Sequence, residues 1–164
     1  MQALTSKDIR GAFAYGERRD LVIPDLSPVD WGVLDYYGWV HPSGHNGYVV
    51  MPVSGELVGI KLRRFLSSQG REGKARTHMC SWCNHVYRGG GTAMFSTPVQ
   101  GSDGRRTIGN YICKNLDCSV RMRNLTSDPP TYLPETIELK RKISRLENAV
   151  TQFMGRAQLL SKLL

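Results

Sequence analysis

Met79 to Arg123 reads M-C-S-W-C-N-H-V-Y-R-G-G-G-T-A-M-F to Phe95, then a polar turn, then R-R-T-I-G-N-Y-I-C-K-N-L-D-C-S-V-R-M-R from Arg105, and it holds all 4 cysteines of the chain. Cys80 and Cys83 form a C-x2-C pair, Cys113 and Cys118 a C-x4-C pair, with 29 residues between the pairs. Two close thiolate pairs joined by a returning chain are what a tetrahedral zinc site requires, each pair supplying one edge of the tetrahedron. Four unrelated buried cysteines, or two disulfides, are the alternatives. The spacing points to one structural Zn2+ held by Cys80, Cys83, Cys113 and Cys118, because four cysteines leave no open position for a catalytic water.

Working outward, the two halves of this stretch have different roles. Cys80-Ser81-Trp82-Cys83 suits a tight knuckle, and Gly89-Gly90-Gly91 lets the chain leave it without steric restriction. Thr92–Val99 and Arg106–Ile112 are strand-like, and Gln100 to Gly104 has the composition of a hairpin turn. Cys118 then starts a short helix. Knuckle, hairpin, helix is the order of a treble-clef zinc finger. His78 and His85 flank the knuckle, and with four thiolates present neither is needed as a ligand.

Before the finger, Thr5 with Asp8 resembles a capping box opening a helix over residues 5–19, with Ile9, Ala12 and Phe13 on one face. Pro24 and Pro28 break the chain. A β block follows, L-D-Y-Y-G-W-V, G-Y-V-V-M-P-V and E-L-V-G-I-K-L-R-R, with Ser54-Gly55 placed as a hairpin turn. His41 and His45 lie in a polar loop and read as solvated. Ser67–Thr77 is polar, basic and glycine-containing, and reads as a mobile connection. After the finger, Pro134 suits the first turn of a last helix, in which Leu139, Ile143, Leu146, Val150, Phe153, Ala157, Leu160 and Leu164 form an amphipathic stripe. Such a stripe packs on its own domain, or pairs with a second helix in a dimer or partner contact through 137–164.

The fold expected is therefore α+β: a small antiparallel β block plus a treble-clef zinc finger, followed by a C-terminal amphipathic helix. The organisation reads as 1–66 for the N-terminal helix and β block, 67–77 for a basic linker, 78–125 for the finger and 134–164 for the helix. No apolar run is long enough to cross a membrane, and the first thirty residues lack the apolar core of a signal peptide. A reducing cytoplasm, where thiols are available for metal, fits this usage of cysteine.

Of the 164 residues, 22 are Lys or Arg and 14 Asp or Glu, a formal net charge of +8. Residues 61–125 hold 12 of the cations and 3 of the carboxylates, a net of +9, whereas the rest of the chain nets −1. The excess thus sits on the finger and the strand leading into it, which suggests an anionic partner such as RNA or an acidic protein face. No phosphate loop, paired carboxylates or nucleophile free of metal duty points to an enzyme, since Gly89-Gly90-Gly91 lacks the following Lys and Ser/Thr.

The runs D-W-G-V-L-D-Y-Y-G-W-V-H-P, Y-V-V-M-P, V-G-I-K-L-R-R, M-C-S-W-C-N with G-G-G, and I-G-N-Y-I-C-K-N-L-D-C-S together resemble the elongation factor G-binding (FBP) treble-clef zinc-finger domain. That domain also forms the C-terminal half of the fusidic acid resistance proteins. The resemblance spans about residues 1–125, and a C-terminal helix is usual in short members. It implies a cytoplasmic factor working on the translation machinery, with elongation factor G and/or the ribosome as partner, and it carries the zinc-ligand role onto the four cysteines. It also places Tyr111 of G-N-Y-I-C on the binding face. Trp82, beside basic residues, is a candidate aromatic anchor if exposed. Tyr87, Lys114 and the hairpin arginines Arg105 and Arg106 complete the expected contact surface. A ribosome-binding role through rRNA or ribosomal protein, as in hibernation or stress, is the alternative that the basic excess favours. One departure is that the resistance proteins carry a helical bundle before this domain, where this chain has a short helix and a β block.

Overall fold

The computed structural model describes residues 1–65, 76–126 and 130–159. The expected linker over 67–77 falls almost wholly outside them, as do Leu160 and Leu164 of the C-terminal stripe. Seven strands and three α-helices follow in the order α1 (Ser6–Ala12), β1 (Tyr37–Val40), β2 (Asn46–Val53), β3 (Glu56–Phe65), β4 (Thr77–Met79), β5 (Val86–Arg88), β6 (Thr92–Pro98), β7 (Thr107–Cys113), α2 (Cys118–Met122) and α3 (Leu139–Arg156).

The β block and the finger share one sheet. Five antiparallel strands run in the order β1-β2-β3-β6-β7, so β3 pairs directly with the first strand of the finger hairpin. The turn between β2 and β3 is Ser54-Gly55, with φ of 51° and 86°, as a two-residue hairpin closed by positive φ at both positions requires. Only β4 and β5 stand apart, as a two-stranded ribbon leading into and out of the first knuckle.

Alternation along the strands separates two cores. On one face, Val49, Met51, Ile60, Leu62, Phe95 and Ile112 pack with the four cysteines, Trp82, Leu116 and the α3 residues Leu146, Val150, Phe153 and Met154. On the other, Tyr37, Trp39, Tyr48 and Val50 pack with Ile9, Phe13 and Leu21.

Two expectations need correction at element ends. The first helix stops at Ala12, where Phe13 turns extended (φ −95°, ψ 151°), and a 3-10 turn covers Tyr15–Asp20. The capping box itself is present, Thr5 Oγ1 accepting from the Asp8 amide and Asp8 accepting from the Thr5 amide. The helix ends early because the Phe13 ring lies flat on Gly59 of β3, where an added Cβ would stand 2.8 Å from the ring. The last helix starts at Leu139, five residues after Pro134: Glu138 is still extended (φ −61°, ψ 148°), and Glu135 in the intervening chain is held by Arg145 at 2.6 and 2.7 Å and by Lys142 through its carbonyl at 3.4 Å. Its apolar stripe is buried against its own domain from Leu146 to Ala157, while Leu139 stays exposed.

Candidate metal centre and interaction surface

Each cysteine pair sits in a turn whose shape follows from its sequence. In the first knuckle the Asn84 amide donates to Cys80 O, and Asn84 takes a positive φ of 58°, which asparagine tolerates. The amides of Trp82 and Cys83 point at Cys80 Sγ from 3.4 and 3.5 Å. In the second knuckle the Leu116 amide donates to Cys113 O, and Leu116 has a φ of 58°. That conformation is costly for a leucine, and its surroundings hold it there. Its side chain enters a window formed by Gly38 of β1 and Gly47 of β2, where Cβ atoms would lie 2.8 Å from Leu116 Cβ and Cδ1. The C-x4-C knuckle is thereby docked onto the β block.

The four Sγ atoms converge within 4.8 Å of one another and are all buried. Cys80–Cys118 and Cys83–Cys113 are each 3.6 Å apart. This is far beyond a disulfide bond and close to the edge of about 3.8 Å expected for thiolates around one zinc ion. All four are free thiols, which removes the disulfide alternative. Burial and the neighbouring sulfurs push Cys118 well above the usual thiol range, so a divalent cation is what would let all four ionise together. The donor set fits a closed, structural zinc site.

Around the sulfurs lies a second ring of contacts. Tyr87 Oη donates to Cys113 Sγ at 3.1 Å, and burial followed by the Cys113 sulfur raises its own pKa. Tyr36 Oη accepts from the Cys118 amide at 3.3 Å. Arg121 forms a two-pronged ion pair with Asp117 at 2.9 Å for both contacts, and its guanidinium lies 5.2 Å over the Tyr87 ring. Arg145 of α3 bonds Glu135 at 2.6 and 2.7 Å and donates to Cys83 O at 3.2 Å, fastening the last helix to the first knuckle. His78 is exposed, and the His85 ring rests 4.5 Å from Tyr87. Neither histidine belongs to the sulfur cluster.

Two expected contact residues are not on the surface. Trp82 is 1% exposed, edge-on to Tyr36 at 5.8 Å and to Phe153 at 5.6 Å. It is not an exposed anchor, because α3 folds over the knuckle and covers the indole. Tyr87 is likewise 1% exposed. Its ring lies over Gly91 so closely that any Cβ there would collide with it at 1.8 Å. The third glycine of the G-G-G run is therefore explained by this ring, whereas Gly89, at φ 99°, serves the turn. By contrast Arg105, Arg106, Tyr111 and Lys114 are exposed on the hairpin and its exit, and Tyr111 O accepts from the Ser81 amide, which joins the hairpin edge to the knuckle. Arg63, Phe65 and Met94, which complete the same open side of the sheet, were not singled out by sequence. The only signal for them is strand alternation combined with knowing which part of the sheet stays uncovered.

The sequence matches the family model for the FBP C-terminal treble-clef zinc-finger over residues 8–157. The chain belongs to this family. Its sulfur cluster is the family's zinc finger, and the α+β architecture with a C-terminal helix is that of a family member. The structure is also similar to that solved for the fusidic acid resistance protein FusC, with a TM-score of 0.58 and 17% identity. The match covers 95% of this chain and 59% of FusC, so the FBP chain spans about three fifths of that protein. No curated protein matches it. Among the described residues, no helix of this FBP protein is long and apolar enough to cross a membrane.

Proposed function

We propose that this FBP protein is a non-enzymatic translation-associated factor of the cytoplasm that binds elongation factor G. Membership of the FBP family carries this reading. The metal centre supports a binding role, since four buried sulfurs complete a tetrahedron and leave the ion no position for water or substrate. The contact surface proposed is the exposed side of the finger hairpin, with Tyr111 as its aromatic residue, Arg105 and Arg106 at the hairpin end and Lys114 at the exit of the second strand. An exposed tyrosine on a strand that carries arginines at its hairpin end and a lysine at its exit suits an acidic protein face.

Gel filtration of the zinc-loaded protein with isolated elongation factor G tests this. Co-elution is expected, and exchanging Arg105 and Arg106 together for alanine should weaken it without moving Tm. Separate elution at low and moderate salt would rule out a direct complex.

The concentration of charge in residues 61–125 favours a second reading, in which the factor binds the ribosome itself. Co-sedimentation with ribosomes separates the two. Pelleting that fades steeply as salt rises, with indifference to the free factor, would identify phosphate contacts and assign the protein to the ribosome.

A further inference from the structure

One half of one sheet face has no covering layer among the described residues. The register places Lys61, Arg63 and Phe65 on the same side as Tyr48 and Val50, and carries that side on through Met94 and Ser96 of β6 to Gly109 and Tyr111 of β7. The N-terminal layer covers Tyr37, Trp39, Tyr48 and Val50 and reaches β3 at Gly59, beneath Phe13. Beyond it, Phe65 is 45% and Tyr111 50% exposed.

Phe65, Met94 and Tyr111 are direct cross-strand partners and form one row. Its outer members stand two strand spacings apart, about 10 Å. The Arg63 guanidinium lies 5.2 Å over the Phe65 ring. The neighbouring row is low: Ser96 is small, Gly109 has no side chain, and the Met94 sulfur lies 3.1 Å from where a Gly109 Cβ would be. None of these six residues is acidic, and Arg105 and Arg106 follow at the hairpin end of the same two strands.

We propose that this open half-face is a stacking platform for single-stranded nucleic acid. Unpaired bases would lie on the rings of Phe65 and Tyr111 with Met94 between them, while Arg63, Arg105 and Arg106 meet the phosphates. A protein partner is the weaker fit here. The row is flat, with Ser96 and Gly109 beside it, and a planar base needs only such a flat ring beside positive charge. The inference stands apart from the elongation factor reading, sharing with it Tyr111 and the hairpin arginines but not Phe65, Met94 or Arg63.

Fluorescence anisotropy with labelled oligouridine and oligothymidine of about twelve nucleotides tests it, using the zinc-loaded full chain at about 50 and about 200 mM salt. Phe65→Ala and Tyr111→Ala should each weaken binding by about 5- to 100-fold with the salt slope unchanged, as expected for the loss of one stacked base. Phe65→Trp should keep the affinity. Arg63→Ala should also reduce the salt slope, by about 0.7. Zinc content and circular dichroism establish that each variant is folded. Binding of either oligomer that weakens in both ring variants supports the platform. Two results would overturn it: no binding of either oligomer, or binding that depends on the arginines while Phe65→Ala and Tyr111→Ala behave as wild type. Loss of elongation factor G binding in Phe65→Ala, with oligomer binding intact, would assign the row to a protein partner instead and overturn it equally.

Discussion

Tyr87 and Trp82 show how a residue's role is set by what folds over it. Tyr87 Oη reaches a zinc-site sulfur, donating to Cys113 at 3.1 Å. A thiolate that accepts such a bond has part of its charge neutralised and its orientation held, so outer-shell partners of metal ligands matter to affinity. Tyr87→Phe keeps the ring on Gly91 and removes only this bond. It should leave the fold intact, cost about 0.5–1.5 kcal/mol, and speed zinc loss to a chelator, followed by a colorimetric zinc assay; an unchanged release rate would show the hydroxyl to be a bystander. Trp82 makes the opposite case. Its indole Nε1 is buried with no hydrogen-bond partner, so Trp82→Phe gives up no hydrogen bond and only part of the ring packing, whereas Trp82→Ala empties the space between Tyr36 and Phe153 and should cost about 3–5 kcal/mol in urea denaturation. The cysteine spacing, the Ser54-Gly55 turn and the Thr5 capping box were legible in sequence because each is a local signal. The burial of Trp82 was not, since it depends on a helix about sixty residues further on, nor that of Tyr87, which lies against Gly91, Cys113 and Arg121; an aromatic among arginines has the same local appearance covered or bare.

At the scale of elements, the second knuckle is held to the β block by shape. Leu116 occupies the window at Gly38 and Gly47, and Arg123 at the end of α2 grips Asp35 just before β1 through contacts of 2.7 and 2.8 Å. Gly38→Ala would put a methyl group 2.7 Å from Leu116 O, against backbone that cannot yield without moving Cys113 and Cys118. The expected result is a loss of about 1–3 kcal/mol together with weaker zinc retention, although residue 38 is no ligand. Gly47→Ala should act in the same direction, against the buried Phe95 ring at 2.7 Å and the flexible end of Leu116 at 2.8 Å, and with a smaller effect on zinc because it meets no backbone of the knuckle. Equal zinc affinity in Gly38→Ala and the parent would mean that the knuckle floats free of the sheet. Residue composition and Gly/Pro punctuation in the sequence give β1, β2, β3 and the hairpin to within three residues. It could not show that β3 and β6 pair, because the partners Arg63 and Ser96 are separated by the finger's own first knuckle and ribbon.

For the whole molecule, that pairing determines how it should unfold. A finger tethered by a linker would melt by itself when its zinc is removed and leave the β block standing. Here the hairpin supplies two of the five strands, the cysteines lie in the larger core, and α3 closes over both. Zinc binding therefore contributes to the stability of the entire chain, and metal-free protein should lose structure throughout. The three tryptophans make this measurable. Trp39 sits in the N-terminal core and Trp82 in the finger core, so variants that keep one of them, with phenylalanine at the other two positions, report each core by fluorescence. Titration with a chelator should shift both signals together, and thermal scans of the zinc-loaded variants should give coincident midpoints. A Trp82 transition that runs to completion while Trp39 keeps its native emission would instead mean that β1, β2 and β3 with the N-terminal layer fold independently and that the β3–β6 ladder breaks first.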